Sequence, residues 1–303
     1  MACIREGFFT SSSGIKLYYL DIGPEEGSPI IFVHGLTANA SFYKPLLQAL
    51  AYPWRVIALD LRGHGLSSKP RNGYAIPHLS SDIRALAKYI GIRSYALIGH
   101  CLGALVSFYH AAHEPEAVKA LVAIEVPSPV IRPKLNRISC WTCTAMAKAL
   151  SVLGDPRREN AILLALASLL PREARKTLKR WLSSNLLREG QTGMTWAFSW
   201  QAVAEIMRAL IGFDLRALLE TLTCPVLLIR GSRGLFWASD AREIAAFLPG
   251  ARSITIQKAG HVIFTVALGP LSRAIRSFLR EALGQRPSRR AISSATMRPE
   301  ALA

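Results

Sequence analysis

The sequence lacks any apolar run long enough to cross a membrane. Its longest uncharged apolar stretch, AILLALASLL (161–170), has charged residues close on both sides, whereas a spanning helix needs roughly 20 apolar residues. The opening residues, MACIREGFFTSS, also lack the apolar core of a signal peptide. We therefore expect a cytoplasmic protein without a transmembrane segment.

Cysteine is scarce as well. The chain has five cysteines, and without an export signal these are expected to be reduced thiols rather than a disulfide framework. Cys140 and Cys143 have suggestive spacing, but no His or Cys follows at a distance that would complete a zinc site. We predict that this pair packs in a helix and that the protein uses neither a metal nor another cofactor.

Acidic residues are few compared with basic ones. The chain has 20 Asp and Glu against 37 Lys and Arg, which gives a net charge of +17. A nucleic-acid partner is the obvious interpretation of such a charge, but the basic residues are spread along the chain without a nucleic-acid-binding motif. We therefore expect no nucleic-acid partner. The Pro-, Ser- and Arg-rich end of the chain, 285–303, is predicted to be a disordered basic tail.

Short apolar runs typical of strands alternate with stretches of helical apolar spacing along most of the chain. This alternation predicts a mostly parallel central sheet covered by helices on both faces. The predicted strands lie over 5–10, 15–21, 29–35, 54–60, 94–99, 118–126, 224–231 and 252–257. The predicted helices lie over 40–51, 79–92, 102–113, 239–248 and 265–283.

The alternation is interrupted over residues 127–222. This segment contains several amphipathic helical stretches separated by Pro and Gly, and no convincing strand. We interpret it as a helical cap inserted into one α/β domain, whose two parts are residues 1–126 and 223–284.

A candidate nucleophile stands at the end of a predicted strand. In LIGHCLGALVS (97–107), Gly99-x-Cys101-x-Gly103 has the spacing of a strand-to-helix nucleophile turn, with a thiol where a hydroxyl is usual. Ligands of parallel α/β sheets bind beyond the carboxyl ends of the strands, which is where Cys101 falls. The positive end of the following helix favours a thiolate there.

Together with this turn, four further stretches make the chain resemble the α/β-hydrolase superfamily, specifically its branch with a helical cap. They are VHGLTANASFY (33–43), DLRGHGLSS (60–68), DLRALLETLTCPVLLIRG (214–231) and AGHVIF (259–264). The resemblance covers nearly all of residues 5–283 and implies the α/β-hydrolase fold. The cysteine turn is similar to those of dienelactone hydrolases and polyhydroxyalkanoate synthases, although neither family matches in full.

The resemblance also implies roles for residues of this chain. His261 matches the catalytic histidine of the superfamily. The backbone N–H groups of Leu36 and Leu102 match its oxyanion-hole donors, and Gly35 lies in the oxyanion loop. Two further histidines match motif positions at which relatives use them to pack or to orient loops, His64 and His100.

The acid of the expected catalytic triad departs from the common pattern. Most relatives carry Asp three residues past the Gly that ends PVLLIRG, but Gly234 stands there. Glu125, at the end of the strand ALVAIEV, is the preferred acid, because a subset of the superfamily places its acid there and a buried carboxylate needs a partner. Asp240 is the alternative. An active site without an acid is the third option, which a thiol tolerates better than a hydroxyl.

A cysteine nucleophile limits the reactions that the enzyme can complete. Attack on an alkyl carbon would give a thioether that water cannot hydrolyse, whereas attack on a carbonyl gives an electrophilic thioester. We therefore predict a hydrolase that cleaves an ester, lactone or thioester through a Cys101 acyl-enzyme.

The apolar faces of the predicted cap suit a small, mainly apolar acyl substrate, and its basic excess suits an anionic group. Acyl transfer through the same intermediate is one alternative, and a non-catalytic binding protein of the same fold is the other.

Overall fold

The computed structural model describes residues 3–127, 172–189, 193–211, 213–234, 238–248 and 250–284. The strands are β1 (Ile4–Thr10), β2 (Lys16–Ile22), β3 (Pro29–Val33), β4 (Arg55–Leu59), β5 (Tyr95–His100), β6 (Val118–Ile124), β7 (Leu186–Glu189), β8 (Gly193–Trp196), β9 (Val226–Gly231) and β10 (Arg252–Ile256). The helices are α1 (Lys44–Leu50), α2 (Ile76–Tyr89), α3 (Leu102–His113), α4 (Arg172–Asn185), α5 (Trp200–Ala209), α6 (Leu215–Leu219), α7 (Ala238–Phe247) and α8 (Phe264–Ala282). A short 3-10 helix, Ala40–Tyr43, precedes α1.

Eight strands form one sheet in the order β1-β2-β4-β3-β5-β6-β9-β10. The β1–β2 and β2–β4 pairs are antiparallel, and every other neighbouring pair is parallel. The predicted fold, a mostly parallel sheet flanked by helices, is confirmed.

Helices cover both faces of this sheet. In β3 the side chains of Ile31 and Val33 belong to an apolar cluster that includes α2 and α3. Those of Ile30 and Phe32 belong to a second cluster that includes α1 and α8. A continuous apolar strand is therefore buried on both sides, which explains why the central strands read as unbroken apolar runs.

Helix α2 begins earlier than the sequence predicts, at Ile76 instead of residue 79. Pro77 stands in its first turn, where the fixed φ of proline suits a helix start and its missing N–H is not needed. Ser80, near the predicted start, is instead buried inside the helix, where its hydroxyl contacts His110 Nδ1 at 2.9 Å.

The segment between β6 and β9 contains strands, so the prediction that it has none is wrong. Strands β7 and β8 pair antiparallel with each other, from Leu186 opposite Trp196 to Glu189 opposite Gly193. Each has only four residues, too few for an alternating pattern to stand out in the sequence.

Three predictions fall outside the described residues. These are the basic tail (285–303), the packing of Cys140 and Cys143, and the structure of residues 128–171 in the predicted cap. Among the helices that the structure describes, none combines the length and the apolar character needed to cross a membrane.

Candidate active site

The candidate site lies at one edge of the sheet. Strands β3, β5, β6, β9 and β10 run parallel, so their carboxyl ends meet at this edge. Cys101 directly follows β5, Glu125 directly follows β6, and His261 lies in the loop after β10. The structure thus brings together three residues that are far apart in the chain.

Cys101 occupies a sharp turn between β5 and α3. Its φ of 53° lies in the left-handed region, and its N–H donates to the Ile124 carbonyl at 2.9 Å. A Cβ atom added at Gly99 would overlap the carbonyl oxygen of Gly103, and one added at Gly103 would overlap that of Val33. Both flanking glycines are therefore required by close backbone approach, as expected for a strained nucleophile turn.

The loop after β3 passes directly against this turn. A Cβ atom added at Gly35 would lie 3.2 Å from Cys101 Cβ and 3.0 Å from His100 Nδ1. The next residue is Leu36. In the part of the chain that the structure describes, neither the Leu36 amide nor the Leu102 amide at the start of α3 donates to a protein acceptor. Neither of the two predicted oxyanion donors is therefore taken up by a hydrogen bond within the described part of the protein.

Glu125 holds the side chain of His261. The distance from His261 Nδ1 to Glu125 Oε2 is 3.1 Å, and the other carboxylate oxygen accepts the Gly231 N–H at 2.6 Å. Glu125 is fully buried, while 27% of the His261 side chain is exposed. One carboxylate oxygen is therefore fixed by backbone and the other orients an imidazole that faces the open site.

The position of Gly234 explains the missing acid of the usual pattern. A Cβ atom added at Gly234 would overlap both carboxylate oxygens of Glu125. The carboxylate of Glu125 thus fills the space into which a side chain at 234 would extend. Asp240, the alternative acid, is buried in the first turn of α7, where its Oδ1 lies 3.3 Å from Ser239 Oγ. Of the two candidates, Glu125 is the one bonded to His261.

The charges around His261 favour its protonated form. Burial by itself lowers the pKa of His261, but the charge and hydrogen bonding of Cys101, followed by those of Glu125, raise the pKa to about 10. At neutral pH His261 is therefore an imidazolium, with Glu125 on one side and Cys101 on the other. A thiolate–imidazolium pair is the reactive form of a cysteine nucleophile.

His100 links the three loops of the site, and its partner Tyr43 was not among the residues predicted from the sequence. Burial and the charge of His261 lower the pKa of His100 to about 3, so its imidazole is neutral. Because the carbonyl of His261 can only accept, His100 Nε2 donates to it at 2.9 Å, and Nδ1 accepts from the Tyr43 hydroxyl at 2.7 Å. The same hydroxyl accepts the Gly35 N–H at 3.4 Å. Tyr43 lies in the matched stretch VHGLTANASFY, the only signal that the sequence offered.

His64 has no contact of this kind. It is buried with its ring 5.2 Å from that of His34, and its Nδ1 contacts the Arg62 carbonyl at 3.1 Å. Burial lowers the pKa of His64 to about 4. It therefore packs behind the site as a neutral side chain.

Comparisons with known proteins place this chain in a family. The family model described as "alpha/beta hydrolase fold" matches residues 28–268. Among curated proteins, 2-(acetamidomethylene)succinate hydrolase of Mesorhizobium japonicum is 29% identical over 255 residues, 84% of this chain and 88% of that protein. Pimeloyl-(acyl-carrier protein) methyl ester esterase of Xanthomonas campestris pv. campestris is 28% identical over 259 residues, 84% of this chain and 95% of that protein.

Solved structures share the fold of this chain. The crystal structure of E-2-(acetamidomethylene)succinate hydrolase superposes with a TM-score of 0.73 at 25% identity, covering 92% of this chain and 99% of that one. Cfl2 from Burkholderia cenocepacia superposes with a TM-score of 0.74 at 22% identity, covering 91% of this chain and 96% of that one.

Proposed function

The chain belongs to the alpha/beta hydrolase family, and we propose that it is an enzyme that hydrolyses an ester, lactone or thioester through an acyl-enzyme on Cys101. The observation that carries this proposal is the 3.1 Å hydrogen bond between His261 Nδ1 and Glu125 Oε2 beside Cys101. It supplies the acid that Gly234 cannot. This contact also weakens the case for a binding protein without activity, because the empty acid position was the main argument for one.

In the acylation step, the thiolate of Cys101 attacks the carbonyl carbon of the substrate. The carbonyl electron pair moves to oxygen, and the oxyanion accepts hydrogen bonds from the Leu36 and Leu102 amides. When the carbonyl re-forms, the bond to the leaving group breaks, and the imidazolium of His261 gives this group its proton. An alcohol or thiol departs, and a thioester on Cys101 remains. With a lactone the hydroxyl stays attached to the acyl chain.

In the deacylation step, the neutral imidazole of His261 takes a proton from water while the oxygen attacks the thioester carbonyl. Collapse of the second oxyanion releases the acid and returns the thiolate. Glu125 accepts from Nδ1 of His261 throughout, which keeps the other ring nitrogen turned toward the reacting atoms.

The names of the relatives support acyl chemistry for this chain, since one is a hydrolase of a succinate derivative and the other a methyl ester esterase. The likeness of the cysteine turn to those of dienelactone hydrolases and polyhydroxyalkanoate synthases agrees with a competent thiol. We propose a small, mainly apolar acyl substrate. We further propose that residues 127–222 form a cap on a core of 1–126 and 223–284. Hydrogen bonds between α4 and the loop after β3 support this arrangement.

Removal of the thiol tests the proposal. Cys101→Ala should abolish turnover of p-nitrophenyl acetate and butyrate, and intact-mass spectrometry should show an acyl adduct on the wild type that the variant lacks. Cys224→Ala is the matched control, because that half-buried thiol precedes β9 at the opposite edge of the sheet. Undiminished turnover by Cys101→Ala would refute the proposed nucleophile. Adding an alcohol or amine acceptor to the same assay distinguishes acyl transfer from hydrolysis.

A further inference from the structure

Among the described residues, five hydrogen bonds join α4 to the loops of the candidate active site. They are Trp181 Nε1 to the Thr37 carbonyl (2.7 Å), Asn39 Nδ2 to the Ser184 carbonyl (2.7 Å) and to Asn185 Oδ1 (3.2 Å), Arg180 Nε to the Phe42 carbonyl (3.2 Å) and Thr177 Oγ1 to Thr265 Oγ1 (2.8 Å). Four of these bonds involve residues 37–42, just after the proposed oxyanion donor Leu36. The fifth involves the beginning of α8, four residues past His261. Helix α4 therefore spans the two loops that flank Cys101.

The bond to Thr37 falls on a strained turn. The Ala38 N–H donates to the Gly35 carbonyl at 3.2 Å and closes a β-turn with Leu36 and Thr37 at its centre. Thr37 has a φ of 55°, a conformation that glycine adopts readily but that is a genuine outlier for a β-branched residue. Such a conformation persists only where its surroundings hold it in place.

We infer that Trp181 is a positioning residue for the oxyanion hole. Its indole N–H holds the Thr37 carbonyl and so keeps the turn in the conformation that directs the Leu36 amide toward the carbonyl attacked by Cys101. The indole is itself held, because its ring packs against Trp196 at 5.5 Å and Phe198 at 5.9 Å between centroids. This inference rests on the proposed function, since it concerns an oxyanion formed during acyl chemistry.

Trp181→Phe tests the inference, because it removes the N–H donor and keeps an aromatic ring for Trp196 and Phe198. Loss of a whole oxyanion donor elsewhere costs about 100- to 1000-fold in kcat. A donor that is present but misdirected should cost less, and we expect kcat on p-nitrophenyl acetate to fall about tenfold to a hundredfold with KM little changed. Trp200→Phe is the matched control, since the buried Trp200 Nε1 has no hydrogen-bond partner among the described residues.

Alkylation by iodoacetamide separates positioning from a general disturbance of the site. The thiolate of Cys101 attacks a saturated carbon in this reaction, iodide leaves, and no oxyanion forms. Trp181→Phe should therefore label Cys101 at the wild-type rate, as read by intact mass, although its acyl turnover is slow. Equal slowing of both reactions, or unchanged acyl turnover, would overturn the inference.

Thr37→Gly gives the rescue. Glycine accepts the positive φ at this position without strain, so the turn should no longer depend on Trp181. We expect Thr37→Gly alone to retain most of the wild-type kcat, and the double variant with Trp181→Phe to recover most of what the single variant lost. A double variant as slow as Trp181→Phe would contradict the inference. If Trp181→Phe does not fold, Trp181→Leu carries the same expectations, because it too is apolar and has no donor.

The Cys101→Ala variant distinguishes failure of this inference from failure of the proposed function. If that variant kept its turnover, the proposed nucleophile would be wrong. The comparison of Trp181→Phe with and without Thr37→Gly would still decide, from kcat on the same ester, whether Trp181 holds the turn.

Discussion

Glu125→Gln is the sharpest test of how the site is assembled, because it removes the negative charge of the side chain and keeps its size and shape. The amide oxygen can still accept the Gly231 N–H that now lies 2.6 Å from the carboxylate. Its NH₂ group then faces Nδ1 of His261 and donates where the carboxylate accepted. The imidazolium loses a charge partner, and the ring is driven toward the wrong tautomer.

The size of the effect follows from the environment of His261. Cys101 contributes more than Glu125 to raising the pKa of His261 to about 10, so the substitution removes the smaller of the two contributions. We expect kcat/KM for p-nitrophenyl esters to fall about tenfold to a hundredfold, which corresponds to roughly 1.4 to 2.7 kcal/mol. The pKa of His261, measured by NMR, should fall in the same variant. Asp240→Asn is the control and should keep kcat/KM near the wild-type value.

Moving the acid to its usual position provides a rescue. Glu125→Gly removes the carboxylate and suits the φ of 52° at that position. Gly234→Asp then places a new side chain in the vacated space, which the Glu125 carboxylate fills in the wild type. We expect the double variant to be at least tenfold more active than Glu125→Gly. Full activity of Glu125→Gln, or a double variant no better than Glu125→Gly, would refute the reasoning.

Two further predictions concern pH. The raised pKa of His261 stabilises the folded protein below pH 6.5, and this contribution is lost as the pH rises through about 10. Turnover should fall over the same upper pH range, because the imidazolium loses its proton. In an NMR titration, Cys101→Ala should lower the pKa of His261. At acid pH the unfolded chain binds more protons than the folded one, because four buried histidines have pKa values lowered to about 3 or 4. The urea concentration at the unfolding midpoint should therefore decrease as the pH is lowered from 6.5 to 4, although the raised pKa of Asp60 opposes this trend. A midpoint that stays constant over this range would contradict the prediction. The four are His34, His64, His100 and His110.

The parts of the site that depend on local chain geometry were predictable from the sequence. Cys101 between two glycines needs only a strand, a tight turn and a helix, and all three are encoded within eleven residues, 97–107. The buried strands were equally readable, because a strand covered on both faces must be apolar throughout. Prediction from the sequence failed at the four-residue strands β7 and β8, because they are too short to show an alternating apolar pattern.

The sequence favoured Glu125 over Asp240 but could not place either carboxylate beside His261, because that placement depends on which strands become neighbours. Pairing of β6 with β9 sets Glu125 beside the Gly231 N–H, and the chain after β10 then brings His261 to the same carboxylate. The contact between Trp181 and Thr37 joins residues 144 positions apart, and no apolar periodicity in the sequence predicts it. The sequence by itself determined the sharp turn at Cys101 and the fold, since both follow from short-range sterics and apolar pattern. Only the tertiary structure decided which acid reaches His261 and what contacts the loop after β3, since both depend on long-range packing.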